Sequence, residues 1–179
     1  MTELISSNLS IRAKSQSFGE YANCIDDLLQ SEITGSMSSY TQHGSVTCLD
    51  HSLSVSYYSY LLCRLLRLDY RSAARGGLLH DLFLYSWHKS KLIGVMHTFT
   101  HPYTALTNAT KLFALNKTEK DIIVKHMWPL TIRLPRFKES YVVSIVDKYC
   151  ALLEIAKFFK IKMFAYNDTS LSRIYPKST

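Results

Sequence analysis

The spacing of the apolar residues is the feature that most limits how this chain can fold. In several long segments these residues recur every three or four positions, which is the period of a helix with one buried face. The segments are residues 10–32, 46–68, 70–86, 102–116, 118–128 and 138–160. No series of alternating apolar and polar residues competes with them, so the sequence predicts an all-α fold.

The chain length and the helix-breaking residues favour one domain of helices joined by short loops. A chain of 179 residues can bury one core, so residues 1–179 are expected to form a single domain. Pro102 is predicted to lie in the first turn of a helix, and Thr118 to cap the next helix. Residues 161–179 lose the helical periodicity and are predicted to form a loosely docked tail.

The net charge of +7 does not by itself indicate nucleic-acid binding. Lys and Arg are spread along the chain without a dense basic tract, so a phosphate-bearing small molecule is the favoured partner and nucleic acid is not. The N-terminus shows no signal-peptide pattern, and charged residues interrupt the most apolar long segment, 142–159. We therefore expect a cytoplasmic protein without a membrane anchor. The four cysteines include no CxxC pair and are expected to be free thiols.

Four polar residues lie where the periodicity predicts packing. His51 lies on an apolar stripe, His80 and Asp81 end the run AARGGLLHD, and Asp147 lies in the middle of YVVSIVDKYCALLE. A buried carboxylate is costly unless it is paired or bound to a metal. Two imidazoles and two carboxylates are ligands that suit iron, manganese or zinc and leave positions open for water. The four residues therefore predict a site for a divalent transition metal.

The adjacent pair His80 and Asp81 places a condition on that site. Neighbouring side chains on a regular helix point about 100° apart. Both can therefore face one metal only if the helix end is irregular or if the metal lies between their two directions. A bridging Asp81 fits this geometry.

This order of residues resembles the signature of the HD-domain superfamily, which has an early His, a His-Asp doublet and a late Asp. The resemblance covers about residues 45–160, preceded by the helix at 10–32. It implies an HD-domain helical bundle and a metal-dependent phosphohydrolase, in which Asp81 and His80 take part in catalysis. The alternative is an unrelated helical protein in which these histidines have structural roles.

Two further histidines, His101 and His126, fall between the doublet and Asp147. HD proteins that bind two metals, including cyclic dinucleotide phosphodiesterases and diadenosine tetraphosphate hydrolases, have two histidines in this interval. The resemblance implies that they hold a second metal and that Asp81 bridges the pair. In the alternative, His101 caps a helix and His126 packs against Trp128. The chain lacks the GYP motif of the cyclic dinucleotide phosphodiesterases, which disfavours that subfamily.

A phosphorylated substrate would need cationic partners near the metal. The residues predicted to bind substrate are His97, Lys125, Arg133, Arg136 and Lys148. The alternative is that the Lys and Arg residues belong to a solvated basic face.

The predicted function is hydrolysis of a phosphate ester or phosphoanhydride, in a nucleotide, by metal-activated water. One or two ions are expected, and magnesium or nickel can replace the native metal during preparation. The alternative function is a non-catalytic module that senses a nucleotide or regulates a partner. A homodimer is compatible with either function.

Overall fold

The computed structural model describes the backbone of residues 2–43, 46–84 and 91–174, and the side chains of residues 16–42, 46–84 and 99–159. Over this part of the chain the protein is an all-α bundle, as predicted, with one small antiparallel sheet. The helices are α1 (Thr2–Leu29), α2 (Glu32–Ser36), α3 (Cys48–Leu65), α4 (Tyr70–Leu79), α5 (Lys91–Leu112), α6 (Lys117–Lys125) and α7 (Lys138–Ile174). A 3-10 turn (Met37–Ser39) and the paired strands β1 (Thr41–His43) and β2 (Val46–Thr47) connect α2 to α3.

Side-chain caps determine where the helices near the centre of the bundle begin. Thr47 accepts a hydrogen bond from the backbone N–H of Asp50 and so starts α3. Asn116 and Glu119 form a reciprocal capping box that starts α6. The prediction that Thr118 caps α6 is therefore wrong by two residues, because the amide of Asn116 reaches the N–H that needs a partner.

Helix ends differ from the predictions at three other places. Helix α5 begins at Lys91, so Pro102 lies inside the helix and not in its first turn. An internal proline removes one backbone hydrogen bond, and the remaining turns of a long helix tolerate this loss. Helix α4 ends at Leu79, short of the predicted residue 86, whereas α7 continues past residue 160 to Ile174, through most of the predicted tail.

Helix α4 lies at the centre of the bundle, and each of its residues from Ser72 to Leu79 is buried. Two glycines allow this close packing. A Cβ atom on Gly76 would lie 2.8 Å from Cγ2 of Ile122, and one on Gly77 would lie 3.0 Å from the backbone of Ser56. The tight fit against α3 and α6 places the C-terminal end of α4 deep inside the protein.

The state of the cysteines and the length and polarity of the helices can be compared with the predictions. All four cysteines are buried and free, as predicted. In the described ranges, each helix is either too short or too polar to cross a bilayer.

Candidate metal centre

The structure brings together all six residues that the sequence analysis proposed as metal ligands. Five helices supply them, either from within the helix or from the residues just past its end. They are His51 (α3), His80 and Asp81 (after α4), His101 (α5), His126 (after α6) and Asp147 (α7). Each is at most 8% exposed, so the cluster lies inside the bundle.

One part of the cluster joins ligands from α3, from the end of α4 and from α7. Oδ1 of Asp147 lies 3.0 Å from Nε2 of His51 and 3.7 Å from Nε2 of His80. Nε2 of His80 also lies 3.3 Å from Oδ2 of Asp81. His51, His80 and Asp81, and likewise His80, His126 and Asp147, each present three ligand atoms within 4.8 Å of one another, so either trio can hold a cation.

The second part of the cluster forms around the other oxygen of Asp81. Its Oδ1 lies 3.3 Å from Nε2 of His101 and 3.6 Å from Nε2 of His126. The two imidazole nitrogens are 2.8 Å apart. Asp81 thus faces His80 with one carboxylate oxygen and the pair from α5 and α6 with the other, so its two oxygens contact different imidazoles.

An irregular helix end explains how the neighbours His80 and Asp81 reach the same site. His80 is the C-cap of α4, and Asp81 already lies in a turn. The N–H of Leu82 bonds to the carbonyl of Leu79, and the N–H of Phe83 bonds to the carbonyl of Asp81. Because the chain leaves helical geometry at this point, the 100° separation of a regular helix does not apply.

The donor atoms of the cluster fit a cation. Nδ1 of His80 donates to the carbonyl of Gly77, and Nδ1 of His126 donates to the carbonyl of Ile123, each at 2.8 Å. These bonds keep a ring proton on Nδ1 and direct Nε2 into the cluster, where it can bind a metal once it carries no proton. Nε2 of His80 and Oδ1 of Asp81 are buried and form no hydrogen bond among the described residues, and their charged neighbours lie 3.3 Å or more away, so both atoms can bind a metal.

Three residues outside the cluster hold its ligands in place. Both carboxylate oxygens of Glu154 lie 3.0 Å from Nδ1 of His51. The side-chain amide of Gln42 donates to Oδ2 of Asp81 at 2.5 Å. Nζ of Lys148 donates to Oδ2 of Asp147 at 2.8 Å and to the carbonyl of His126. Partners of this kind orient metal ligands and tune their basicity.

Two of these three residues, Glu154 and Gln42, were not predicted from the sequence. Glu154 follows Asp147 by seven positions in α7, which is two helical turns, so the same face of the helix carries both. Helical periodicity was therefore a sufficient signal for Glu154. Gln42 lies in the short strand β1, and its sequence neighbourhood contains no pattern that points to the cluster.

The residues predicted to bind substrate are separated by the fold. Lys148 contacts the cluster directly through Asp147. Lys125, Arg133 and Arg136 instead line a groove whose lining includes none of the six cluster residues. The backbone of His97 belongs to α5, but its side chain lies outside the described residues.

Burial and the neighbouring charged groups shift the pKa values of three histidines in the cluster. Burial disfavours a charged His51, but the hydrogen bonds with Asp147 and Glu154 outweigh it and raise the pKa of His51 to about 9. Burial likewise opposes charge on His80, and the carboxylates of Asp81 and Asp147 raise its pKa to about 10. Burial and the neighbouring imidazoles of His80 and His101 hold the pKa of His126 well below its usual value.

The carboxyl groups of Asp81 and Asp147 both have lowered pKa values, in contrast to the raised pKa values of His51 and His80. Burial alone would favour a neutral carboxyl group, but the imidazole of His80, together with that of His101, holds the pKa of Asp81 well below its usual value. Contacts with His51, His80 and Lys148 do the same for Asp147. Both side chains are therefore carboxylates at neutral pH, which is the form that binds a metal.

Metal binding at pH 7 is expected to release protons. His51 and His80 carry protons in the metal-free protein because their pKa values are about 9 and about 10, and a metal on their Nε2 atoms displaces these protons. We expect release of about two protons per chain and an affinity for Mn²⁺ that rises from pH 7 to pH 9. Titration calorimetry in buffers of different ionisation enthalpy measures the release. Binding heats that do not depend on the buffer would contradict this expectation.

Replacing Glu154 by Gln is expected to weaken metal binding. The substitution keeps the size of the side chain but removes the carboxylate that orients His51, a loss that typically costs about 10-fold to 100-fold in affinity. Competition of Mn²⁺ with a fluorescent chelator gives the affinity. The exposed residue Glu32 provides the matched control, since Glu32→Gln removes a distant carboxylate and should bind like the original protein.

No family model matches the chain, and no curated protein or solved structure matches it. The finding that stands is a buried group of histidines and aspartates, contributed by five helices, that can hold a metal ion.

Proposed function

We propose that this protein is a metal-dependent phosphohydrolase of the HD-domain superfamily. Its substrate would be a phosphate ester or phosphoanhydride, in a nucleotide. The observation that supports this proposal best is the position of Asp81, whose two carboxylate oxygens face different imidazole nitrogens: Oδ2 faces Nε2 of His80, and Oδ1 faces those of His101 and His126. A carboxylate between two sets of nitrogen donors is suited to join two divalent cations in one site.

The composition of the two groups favours catalysis over a purely structural metal. Closed structural zinc sites usually have four protein ligands rich in thiolate. Here the donors are imidazoles and carboxylates, and Cys48, although near Asp81, donates its thiol to the backbone carbonyl of that residue. Such a set leaves coordination positions for water and substrate. A bound divalent metal lowers the pKa of a coordinated water and neutralises charge on phosphoryl oxygens.

The residues of the chain itself would prepare this chemistry. Gln42 holds Oδ2 of Asp81 and so orients the carboxylate that faces both groups. The contact between Lys148 and Oδ2 of Asp147 leaves Oδ1 directed at the two imidazoles. Lys148 also brings a positive charge to the edge of the cluster, where its side chain is 27% exposed.

Phosphate release from a panel of nucleotides tests the proposal. Protein purified without chelator would be analysed for metals and then assayed with mononucleotides, dinucleotides and a generic phosphodiester in the presence of Mn²⁺ or Fe²⁺. We expect turnover of at least one substrate that EDTA stops and added metal restores. A protein that binds metal but releases phosphate from none of these compounds would contradict the proposal and favour a nucleotide-sensing module.

A further inference from the structure

A groove on the outer side of α5 and α6 collects five basic side chains. We call it the basic groove; its cavity has a volume of about 550 Å³. The cations are Lys117, Lys120 and Lys125 from α6 and Arg133 and Arg136 from the segment before α7. This volume is in the range of pockets that bind small molecules.

The positive charge of the basic groove is not balanced by neighbouring acids. Among the side chains that the structure describes, none of the five cations forms an ion pair with a carboxylate. Asp121 is the one acidic residue in the lining, and its Oδ2 accepts hydrogen bonds from the N–H of Arg136 and the hydroxyl of Ser140, each at 2.8 Å. That carboxylate therefore holds the loop in place. Nζ of Lys125 donates to the carbonyl of Leu134 at 3.0 Å, and no carboxylate in the described part of the chain neutralises the five cations.

The basic groove and the metal cluster lie on different faces of the same helices. Val124 of α6 lines the groove, whereas His126, the C-cap just past the end of α6, is buried inside the bundle. In α5, Leu106 lines the groove, whereas Ala105 and His101 are buried on the inner side. At about 100° per residue, Val124 points about 200° away from position 126, and Leu106 points about 140° away from His101, so the two helices separate the groove from the cluster.

An aromatic pocket of about 280 Å³ adjoins the basic groove. It shares Val124 and Arg133 with the groove and adds the rings of Phe99 and Tyr103, which are 57% and 40% exposed. The guanidinium of Arg133 lies 5.2 Å from the centre of the Tyr103 ring. Arg133 thus connects a cationic region with an aromatic one.

We propose that these two pockets form a second ligand site, which binds a nucleoside phosphate away from the metal cluster. Arginine and lysine in the basic groove suit the charge and geometry of phosphate oxygens. The exposed rings of Phe99 and Tyr103 offer a stacking surface for a planar base. The proposal does not depend on hydrolysis at the cluster, because the site is defined by different residues and by binding alone.

Binding of ATP and of inorganic tripolyphosphate in EDTA tests this site by titration calorimetry. The double substitution Lys120→Glu with Arg136→Glu is expected to weaken binding of both compounds at least about tenfold, since it reverses two charges in the groove. Tyr103→Ala is expected to weaken ATP by about threefold to tenfold and to leave tripolyphosphate unchanged, because only ATP has a ring to stack. Lys157→Glu, at an exposed position on α7, reverses one charge outside the groove and should bind normally.

Asp81→Asn separates this site from the metal cluster. A variant with a damaged cluster should bind ATP in EDTA as tightly as the original protein, and its thermal unfolding shows whether it is folded. Unchanged ATP affinity in the double variant, loss of ATP binding in Asp81→Asn, or no ATP binding by the original protein would each overturn the proposal. Tighter binding of single-stranded RNA than of ATP, with the same dependence on the groove, would also overturn it.

Discussion

Replacing Asp81 by Asn is expected to reduce metal-dependent phosphate release at least about 1000-fold. Metals stabilise the charge of a phosphoryl transition state by several kcal/mol, and each 1.4 kcal/mol corresponds to about a factor of ten in rate. An amide keeps the shape of the side chain but presents one acceptor oxygen in place of two, so it cannot serve both imidazole groups. The initial rate of phosphate release, measured at saturating Mn²⁺ on the best nucleotide, gives the effect.

Asp26→Asn is the control for this substitution, because Asp26 is an exposed aspartate of α1. Its rate should equal that of the original protein. The metal content of both variants should be measured as well. If the Asp81 carboxylate holds the metal, Asp81→Asn should lose metal as well as turnover. A variant that keeps full activity without the Asp81 carboxylate would disprove its bridging role.

Removing the metal is expected to lower the unfolding temperature by roughly 5–10 °C. A ligand that binds only the folded state stabilises it by about 2.7 kcal/mol at a hundredfold excess over its Kd. For a chain of this size each kcal/mol corresponds to roughly 2–4 °C. The metal-free cluster also contains a buried imidazole nitrogen and a carboxylate oxygen without hydrogen-bond partners, on His80 and Asp81. Differential scanning fluorimetry with EDTA, followed by addition of Mn²⁺, measures the shift and its recovery.

The control for the metal effect is a protein with a damaged cluster. Asp147→Asn should unfold at nearly the same temperature with EDTA as with Mn²⁺, because one of its carboxylate ligands is gone. Asp26→Asn should respond as the original protein does. Equal unfolding temperatures for the original protein in EDTA and in Mn²⁺ would show that the cluster does not bind metal tightly.

The helices were predictable from the sequence more reliably than their ends. Apolar periodicity depends on local spacing, so it identified the helical segments around His51, His80 and Asp147. The ends depend on which side chain reaches an unpaired backbone group or where tertiary packing stops the helix. For this reason the sequence placed the α6 cap at Thr118 instead of Asn116 and started α5 at Pro102 instead of Lys91.

The candidate ligands were predictable because a histidine or aspartate on an apolar helical face needs a partner. All six candidate ligands are buried, which agrees with that argument. Glu154 follows Asp147 by two helical turns in α7, so helical periodicity places both on one face. Gln42 was not predictable. It lies in the short strand β1, and its contact with Asp81 joins residues 39 positions apart in the chain. The family resemblance remains a prediction, which the proposed phosphate-release assay addresses.

Local spacing and the cost of burying charge were enough to predict an all-α chain with His51, His80, Asp81 and Asp147 as candidate ligands. Local spacing and burial cost did not predict which basic residues lie beside these ligands, because the direction of a side chain depends on how each helix packs. The bundle turns His101 and His126 inward to Asp81 and turns Lys125 outward, although Lys125 and His126 are adjacent in the chain. Packing across helices far apart in sequence therefore determines which residues belong to the cluster and which belong to the groove.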